Sequence, residues 1–351
     1  MSEPHISNRK QDHIDLCTDD HVEFKHKTTL LKEVELMHDA LPELALGDVD
    51  LSTHLAGHPL DVPLLITGMT GGANQATDIN RELARVAQEL GLAFGLGSQR
   101  AMFVHPELIP TYQVRDVAPD IVLLGNIGMV QATEMTTAQL EDVVGAVDAN
   151  ALCVHLNPGQ ELLQPEGDRD FSGCLDALAR LVDELSVPVI AKETGCGLSA
   201  RTLDKLVSAG VEHVDTSGAG GTTWIGVETL RTPAAERSLG EMLWEWGVPT
   251  AASIGYASRR NLGIIGSGGL RNGYDAVRAL AMGAHVAGMA LPWLKAAHEG
   301  GAEQALAYGQ GLISSMRTIM TLTGSRDINA LQRAPRMHGP NLERWLKLDD
   351  H

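Results

Sequence analysis

The sequence predicts a single (β/α)₈ barrel. Three observations carry this. Eight short apolar runs recur along the 351 residues, amphipathic helical stretches alternate with them, and each run ends in glycine or polar residues. Near-continuous apolar strands separated by helices imply a parallel sheet buried on both faces. An open, doubly wound sheet is the competing reading. The length suits one barrel of about 250 residues with extensions. The expected organisation is one domain: an N-terminal extension over 1–60, the barrel over 61–290 and a helical C-terminal extension over 291–351.

The strand-like runs cover 62–67, 92–97, 121–125, 151–156, 187–192, 211–216, 262–266 and 285–289. Helical segments are expected at 77–90, 175–185, 201–209 and 274–282. The first opens on Thr77, a residue suited to an N-cap, and sets Ile79, Leu83, Val86 and Leu90 on one face. A ninth apolar run, 249–254, is surplus to eight strands and reads as a buried segment leading into a helix.

Composition excludes several classes. The net charge is −18, from 45 acidic and 27 basic residues. Such a surface disfavours nucleic acid and anionic membranes; it is also compatible with a salt-rich source, where the charge would be screened. No run reaches the roughly 20 apolar residues of a membrane span. The polar N-terminus lacks the apolar core of a secretory signal, so a cytoplasmic location is expected. The four cysteines form no C-x-x-C pair. Neither a Ser-His-Asp spacing nor a post-strand G-x-G-x-x-G occurs.

Barrel active sites form where strands end. Here the strand ends read Thr67-Gly68-Met69-Thr70-Gly71-Gly72, Gly97-Ser98-Gln99-Arg100, Asn126-Ile127-Gly128, His155-Leu156-Asn157-Pro158-Gly159-Gln160-Glu161, Lys192-Glu193, Ser217-Gly218-Ala219-Gly220-Gly221-Thr222, Ser267-Gly268-Gly269-Leu270-Arg271 and Gly288-Met289-Ala290. Small residues after both the seventh and eighth strands form the usual phosphate cradle of such barrels, where backbone N–H groups meet an anion. Lys192 closes an apolar strand and needs a partner. Glu193, Asp215 or the N1–C2=O edge of a flavin, which gains negative charge on reduction, would each serve. Asn157, Gln160 and Glu161 suit ligand orientation and a hard cation. His155 reads either as a satisfied core histidine or as a ligand. Arg9, Lys10 and His13 form a basic cluster in an acidic chain; with Arg100 they could offset the field that a diphosphate would meet.

As an ordered set, these motifs resemble the FMN-dependent, type 2 isopentenyl-diphosphate Δ-isomerases over about residues 5–345. They are Arg9-Lys10-x-x-His13, Met69-Thr70-Gly71-Gly72, Gly97-Ser98-Gln99, His155-Leu156-Asn157, Gln160-Glu161, Pro165-Glu166-Gly167-Asp168-Arg169, Lys192-Glu193, Gly220-Gly221-Thr222 and Ser267-Gly268-Gly269-Leu270. The resemblance implies isomerisation of isopentenyl diphosphate to dimethylallyl diphosphate in isoprenoid biosynthesis. It implies FMN active when reduced, NADPH or another donor as the reductant, Mg²⁺ on the substrate diphosphate, and a homotetramer or homo-octamer. FMN would meet Gly68, Met69, Thr70, Ser98, Asn126, Lys192, Ser217, Thr222, Gly268, Gly269, Leu270, Ala290 and Leu291. Substrate would meet Arg9, Lys10, Ser98, Gln99, Arg100, His155, Asn157 and Gln160. Gln160 would be catalytic, as an orienting group since it cannot titrate, and Glu161 would bind Mg²⁺. Thr67-Gly68 and Pro158-Gly159 depart from the pattern and put loop geometry in question. Two other readings compete. A 2-hydroxy-acid oxidase needs a His base and an arginine near strand six, where Ser217-Gly218-Ala219-Gly220 stands instead. A non-catalytic phosphate-ligand sensor would bind without turnover.

Overall fold

The structure is a computed structural model that describes residues 16, 22–69 and 74–349. Eight parallel strands close into a barrel. They are β1 (Leu64–Ile66), β2 (Ala93–Gly95), β3 (Leu123–Gly128), β4 (Ala151–Leu156), β5 (Val189–Glu193), β6 (His213–Asp215), β7 (Gly263–Ser267) and β8 (Val286–Met289). Each falls on one of the eight apolar runs, and β8 pairs with β1 to close the ring.

Alternation along the strands builds two cores. Leu65, Ala93, Leu124, Ala151, Cys153, Ile190, Ile265 and Val286 fill the barrel interior. Their neighbours, such as Leu64, Ile66, Phe94, Leu123 and Leu152, face the helix layer. The strand period of two sends successive side chains to opposite faces, so a run apolar at every position is what a two-sided environment demands. A short antiparallel hairpin, Thr53–Leu55 with His58–Leu60, adds Leu55, Ala56 and Leu60 to the inner core and tethers Thr53 Oγ1 to the His285 carbonyl. That is the end of the barrel where strands begin, opposite the strand ends read above.

The helices are α1 (Asn74–Leu90), α2 (Arg100–Val104), α3 (Met129–Glu134), α4 (Thr137–Gly145), α5 (Pro158–Leu163), α6 (Cys174–Glu184), α7 (Ala200–Ser208), α8 (Trp224–Arg231), α9 (Ser238–Leu243), α10 (Thr250–Ser258), α11 (Gly273–Ala281), α12 (Leu291–Leu322), α13 (Ile328–Arg333) and α14 (Pro340–Leu346). Thr77 does not cap α1 as expected. Asn74, Gln75 and Ala76 contain no breaker, and the helix extends back over them, placing Thr77 inside its first turn. The surplus apolar run becomes α10, in which Thr250 to Ala257 are all buried. Its small residues Ala251, Ala252, Ser253 and Gly255 let it lie close against β7. The C-terminal extension is not wholly helical: Arg336–His338 pairs antiparallel with Val34–Leu36. A continuous α12 is also broken, because Gly300 and Gly301 leave helical geometry. Among the described residues, no helix is long and apolar enough to cross a membrane.

Candidate active site

A cleft of about 260 Å³ opens at the C-terminal ends of the strands. Its floor follows from strand register. Gly128, His155, Lys192 and Asp215 stand side by side across β3, β4, β5 and β6. Lys192 Nζ lies 2.8 Å from Asp215 Oδ2 in an almost dry setting. The opposite oxygen, Asp215 Oδ1, accepts from Ser267 Oγ and from the Ser217 N–H. Of the carboxylates open as partners for Lys192, Asp215 is therefore the one it meets. Glu193 is engaged elsewhere: its Oε2 accepts from the backbone N–H groups of Thr194, Gly195, Cys196 and Gly197. Burial pushes the Glu193 carboxyl up to about 7, while those four donors pull toward the anion.

His155 Nδ1 lies 2.8 Å from Asn126 Oδ1. The Asn126 Nδ2 donates to the Leu96 carbonyl, so its oxygen is the acceptor and His155 Nδ1 carries the proton. Burial, then the Lys192 charge, push the imidazole down to about 4. A neutral ring presenting Nε2 results.

Asn157, Gln160 and Glu161 form one rim. Asn157 Nδ2 donates to Glu161 Oε1 at 2.9 Å and to Gln160 Oε1 at 3.3 Å. Gln160 Nε2 donates to Glu228 Oε1 at 3.0 Å, and Glu228 is closed on its other oxygen by Arg231 at 2.6 Å. Pro158-Gly159 does not disrupt this rim. Pro158 takes the first position of α5, where its missing N–H costs nothing, and Gly159 packs on Ile225.

The other rim comes from the loops after β7, β8 and β1. Gly268, Gly269, Leu270, Ala290 and Leu291 all line the cleft. No side chain caps the first turn of α12, which begins at Leu291. The first segment of α12, which runs from Leu291 to the break at Gly300, offers the positive end of its dipole to an anion. Gly68 is fixed by space: a Cβ would collide with the Leu96 carbonyl. Ser217 holds φ 33°, a left-handed conformation uncommon for a residue with a side chain.

Of the residues singled out in the sequence, the cleft brings together Gly68, Met69, Ser98, Arg100, Asn126, His155, Asn157, Gln160, Glu161, Lys192, Ser217, Thr222, Gly268, Gly269, Leu270, Ala290 and Leu291. Arg9, Lys10, His13 and Thr70 lie outside the described residues. Gln99 is not among the residues that line the cleft. It is fully buried beneath the cleft, with Oε1 accepting from the Asn126 N–H and Nε2 donating to the Val143 carbonyl, so its amide braces β3 against α4 rather than facing a ligand. Sequence reading gave no site role to Gln131, Gln164, Thr194, Gly195, Trp224, Arg271 and Leu294, which also line the cleft. Arg271 could have been found, since it follows the GG loop directly. Trp224 and Glu228 are four apart on α8 and so share a face. Gln131 left no local signal. Among the described residues, no cluster of three or more His, Cys, Asp or Glu side chains could hold a metal by themselves.

The sequence pattern of the family described as "FMN-dependent dehydrogenase" matches residues 2–105 and 127–337. A protein of Methanothermobacter thermautotrophicus named isopentenyl-diphosphate delta-isomerase is 43% identical over 97% of this chain and 96% of its own. One of the same name from Pyrococcus abyssi is 43% identical over 96% of this chain and 94% of its own. The chain belongs to the isopentenyl-diphosphate delta-isomerase family, within that wider FMN-dependent family. Among solved structures, a mandelate oxidase with an FMN adduct superposes with a TM-score of 0.65 over 91% of this chain and 93% of that one. At 15% identity this likeness speaks for the barrel alone.

Proposed function

We propose that the chain isomerises isopentenyl diphosphate to dimethylallyl diphosphate, with reduced FMN and Mg²⁺, as a step in isoprenoid biosynthesis. The observation that carries the reading is near-full-length similarity to proteins of that name, joined to a cleft that keeps the rim Asn157, Gln160 and Glu161 facing the phosphate loops.

The residues present fit FMN. Lys192 spends one N–H on Asp215 and has two more for a flavin edge that gains negative charge. Gly268, Gly269, Leu270 and the uncapped start of α12 would hold the phosphate; Gly68, Met69, Thr70, Ser98, Asn126, Ser217, Thr222, Ala290 and Leu291 would complete the pocket. Bound in reduced form, FMN supplies electron density beside a developing tertiary cation and acid–base capacity near N5. The donor set also fits Mg²⁺, which keeps several waters and takes one carboxylate plus substrate phosphate. Glu161 would be that carboxylate.

The reaction places a proton on one carbon and removes one from another, with no net redox change. Gln160 cannot titrate. Pinned between Asn157 and Glu228, it would orient the reacting carbons. Arg100, with Arg9 and Lys10, would meet the diphosphate. His155 enters neutral, and an anion at Nε2 would draw a proton onto it. NADPH would reduce the flavin, and the protein would assemble as a homotetramer or homo-octamer. Oxidation of a 2-hydroxy acid lacks its groups here: among the cleft-lining residues described, His155 is the sole histidine, and it lies on β4 rather than after β6.

The deciding experiment is isomerisation of isopentenyl diphosphate by the purified yellow protein under reducing conditions with Mg²⁺. Turnover that depends on both, with FMN released on denaturation, is expected. Bound FMN without turnover would favour a sensor.

A further inference from the structure

The motif Pro165-Glu166-Gly167-Asp168-Arg169 has no part in the reading above, yet it wraps the one acidic side chain that the reading assigns to a metal. We propose that Gly167, Asp168 and Arg169 are positioning residues that fix the Glu161 carboxylate for the divalent cation shared with the substrate diphosphate. This rests on the Glu161 assignment.

The geometry is specific. Glu161 Oε2 accepts from the Asp168 N–H at 2.9 Å, and Oε1 accepts from Asn157 Nδ2 at 2.9 Å. Each oxygen then keeps one lone pair free, which is what a cation bound by one carboxylate needs. The loop is held to Glu161 by backbone as well. The two terminal guanidinium nitrogens of Arg169 donate to the carbonyls of Glu161 and Gln164. Gly167 lies so close that a Cβ would collide with the Glu161 carbonyl. The Asp168 carboxylate is turned away to accept from Gln131 Nε2 at 3.0 Å, which ties the loop to α3 across the cleft wall. A carboxylate free to rotate would lose rotamer entropy on binding a cation; one clamped on both oxygens has lost it already.

The test uses the full, FMN-loaded protein. Gly167→Ala, Arg169→Met, Arg169→Lys and Gln131→Ala are compared with Glu161→Gln. The readouts are the Mg²⁺ concentration for half-maximal isomerisation, the rate at saturating Mg²⁺, Mn²⁺ binding with inorganic diphosphate by electron paramagnetic resonance, and FMN content. Gly167→Ala and Arg169→Met should weaken Mn²⁺ binding and raise the half-saturating Mg²⁺ roughly tenfold, the usual scale for groups that orient a ligand. The rate should recover at high Mg²⁺, with FMN content unchanged. Arg169→Lys keeps the charge but not the fork, so it should fall between. Gln131→Ala leaves the loop backbone intact and should give a smaller shift of the same kind, which keeps the test alive should Gly167→Ala fail to fold. Wild-type Mn²⁺ binding in the folded variants would overturn the proposal. Wild-type Mn²⁺ binding in Glu161→Gln would instead remove the assignment it rests on.

Discussion

Lys192 and Asp215 form a buried ion pair, 2.8 Å apart on adjacent strands, and Asp215 is also held by Ser267 and Ser217. The two partners are therefore not equally dependent on each other. Replacing Asp215 leaves a buried ammonium without its carboxylate; replacing Lys192 leaves a carboxylate that still has two donors. Breaking one side of a buried pair costs about 3–5 kcal/mol. Asp215→Asn is expected at that level and Lys192→Met below it, measured by urea unfolding of flavin-free protein. The double variant should recover part of the sum, because the two residues are coupled. Strict additivity would mean that they act independently.

His155 sets a pH dependence. Its imidazole is pushed down to about 4 in the folded protein, from the ordinary 6.5. The unfolded chain thus takes up a proton as pH falls through 6.5, and the folded protein does not until about 4. Stability from this group is complete above pH 6.5 and is lost as pH falls toward 4. With one pKa unit worth 1.36 kcal/mol, the loss is about 3 kcal/mol. His155→Gln can still donate to Asn126 Oδ1 and cannot titrate. Urea midpoints at pH 7 and pH 4.5 should therefore fall further for the wild type than for this variant. Equal drops would show that His155 contributes nothing to acid sensitivity.

The Gln160–Glu228 contact makes a separable prediction. Glu228 is fully buried, and of its two oxygens one faces Gln160 and the other Arg231. Gln160→Leu removes a donor from Glu228 and the orienting amide from the cleft at once. Turnover should fall at least a hundredfold, or about 2.7 kcal/mol of transition-state stabilisation. FMN content should stay near that of the wild type, since Gln160 lies on the rim away from the phosphate loops. Retained turnover would remove Gln160 from the mechanism.

How legible this was in the sequence differs between parts. The barrel strands were legible because both faces of each are buried, which leaves runs such as ALCVHL with almost no polar interruption. The polar residues just past each run were legible for the same reason: in a barrel they can only be at the mouth. Gln99 shows the limit. It stands in the loop with Ser98 and Arg100, which line the cleft, yet it starts a helical turn and so points down into the helix layer. Neighbouring loop residues share a neighbourhood but not a direction. The contact between Gln131 and Asp168 was invisible for another reason. They are 37 residues apart, and only the packing of α3 beside the loop after α5 brings them together.

Ser217 offers the sharpest opposition between stability and binding. Its φ of 33° is a conformation that a Cβ resists, and its carbonyl is fixed there by the N–H groups of Gly195 and Gly197. Strain of this kind is worth about 1–3 kcal/mol. Glycine would remove it, against an entropic cost of roughly 0.5–1 kcal/mol in the unfolded chain. Ser217→Gly should therefore leave the flavin-free protein as stable as the wild type or up to about 2 kcal/mol more stable. The same change deletes the hydroxyl of a residue that lines the cleft. FMN affinity should then drop by the value of one hydrogen bond, about 1 kcal/mol or roughly fivefold. Calorimetric unfolding of the flavin-free form and fluorescence titration with FMN would read the two effects separately. A variant that loses stability would show that the Ser217 side chain, not its backbone, is what the fold depends on.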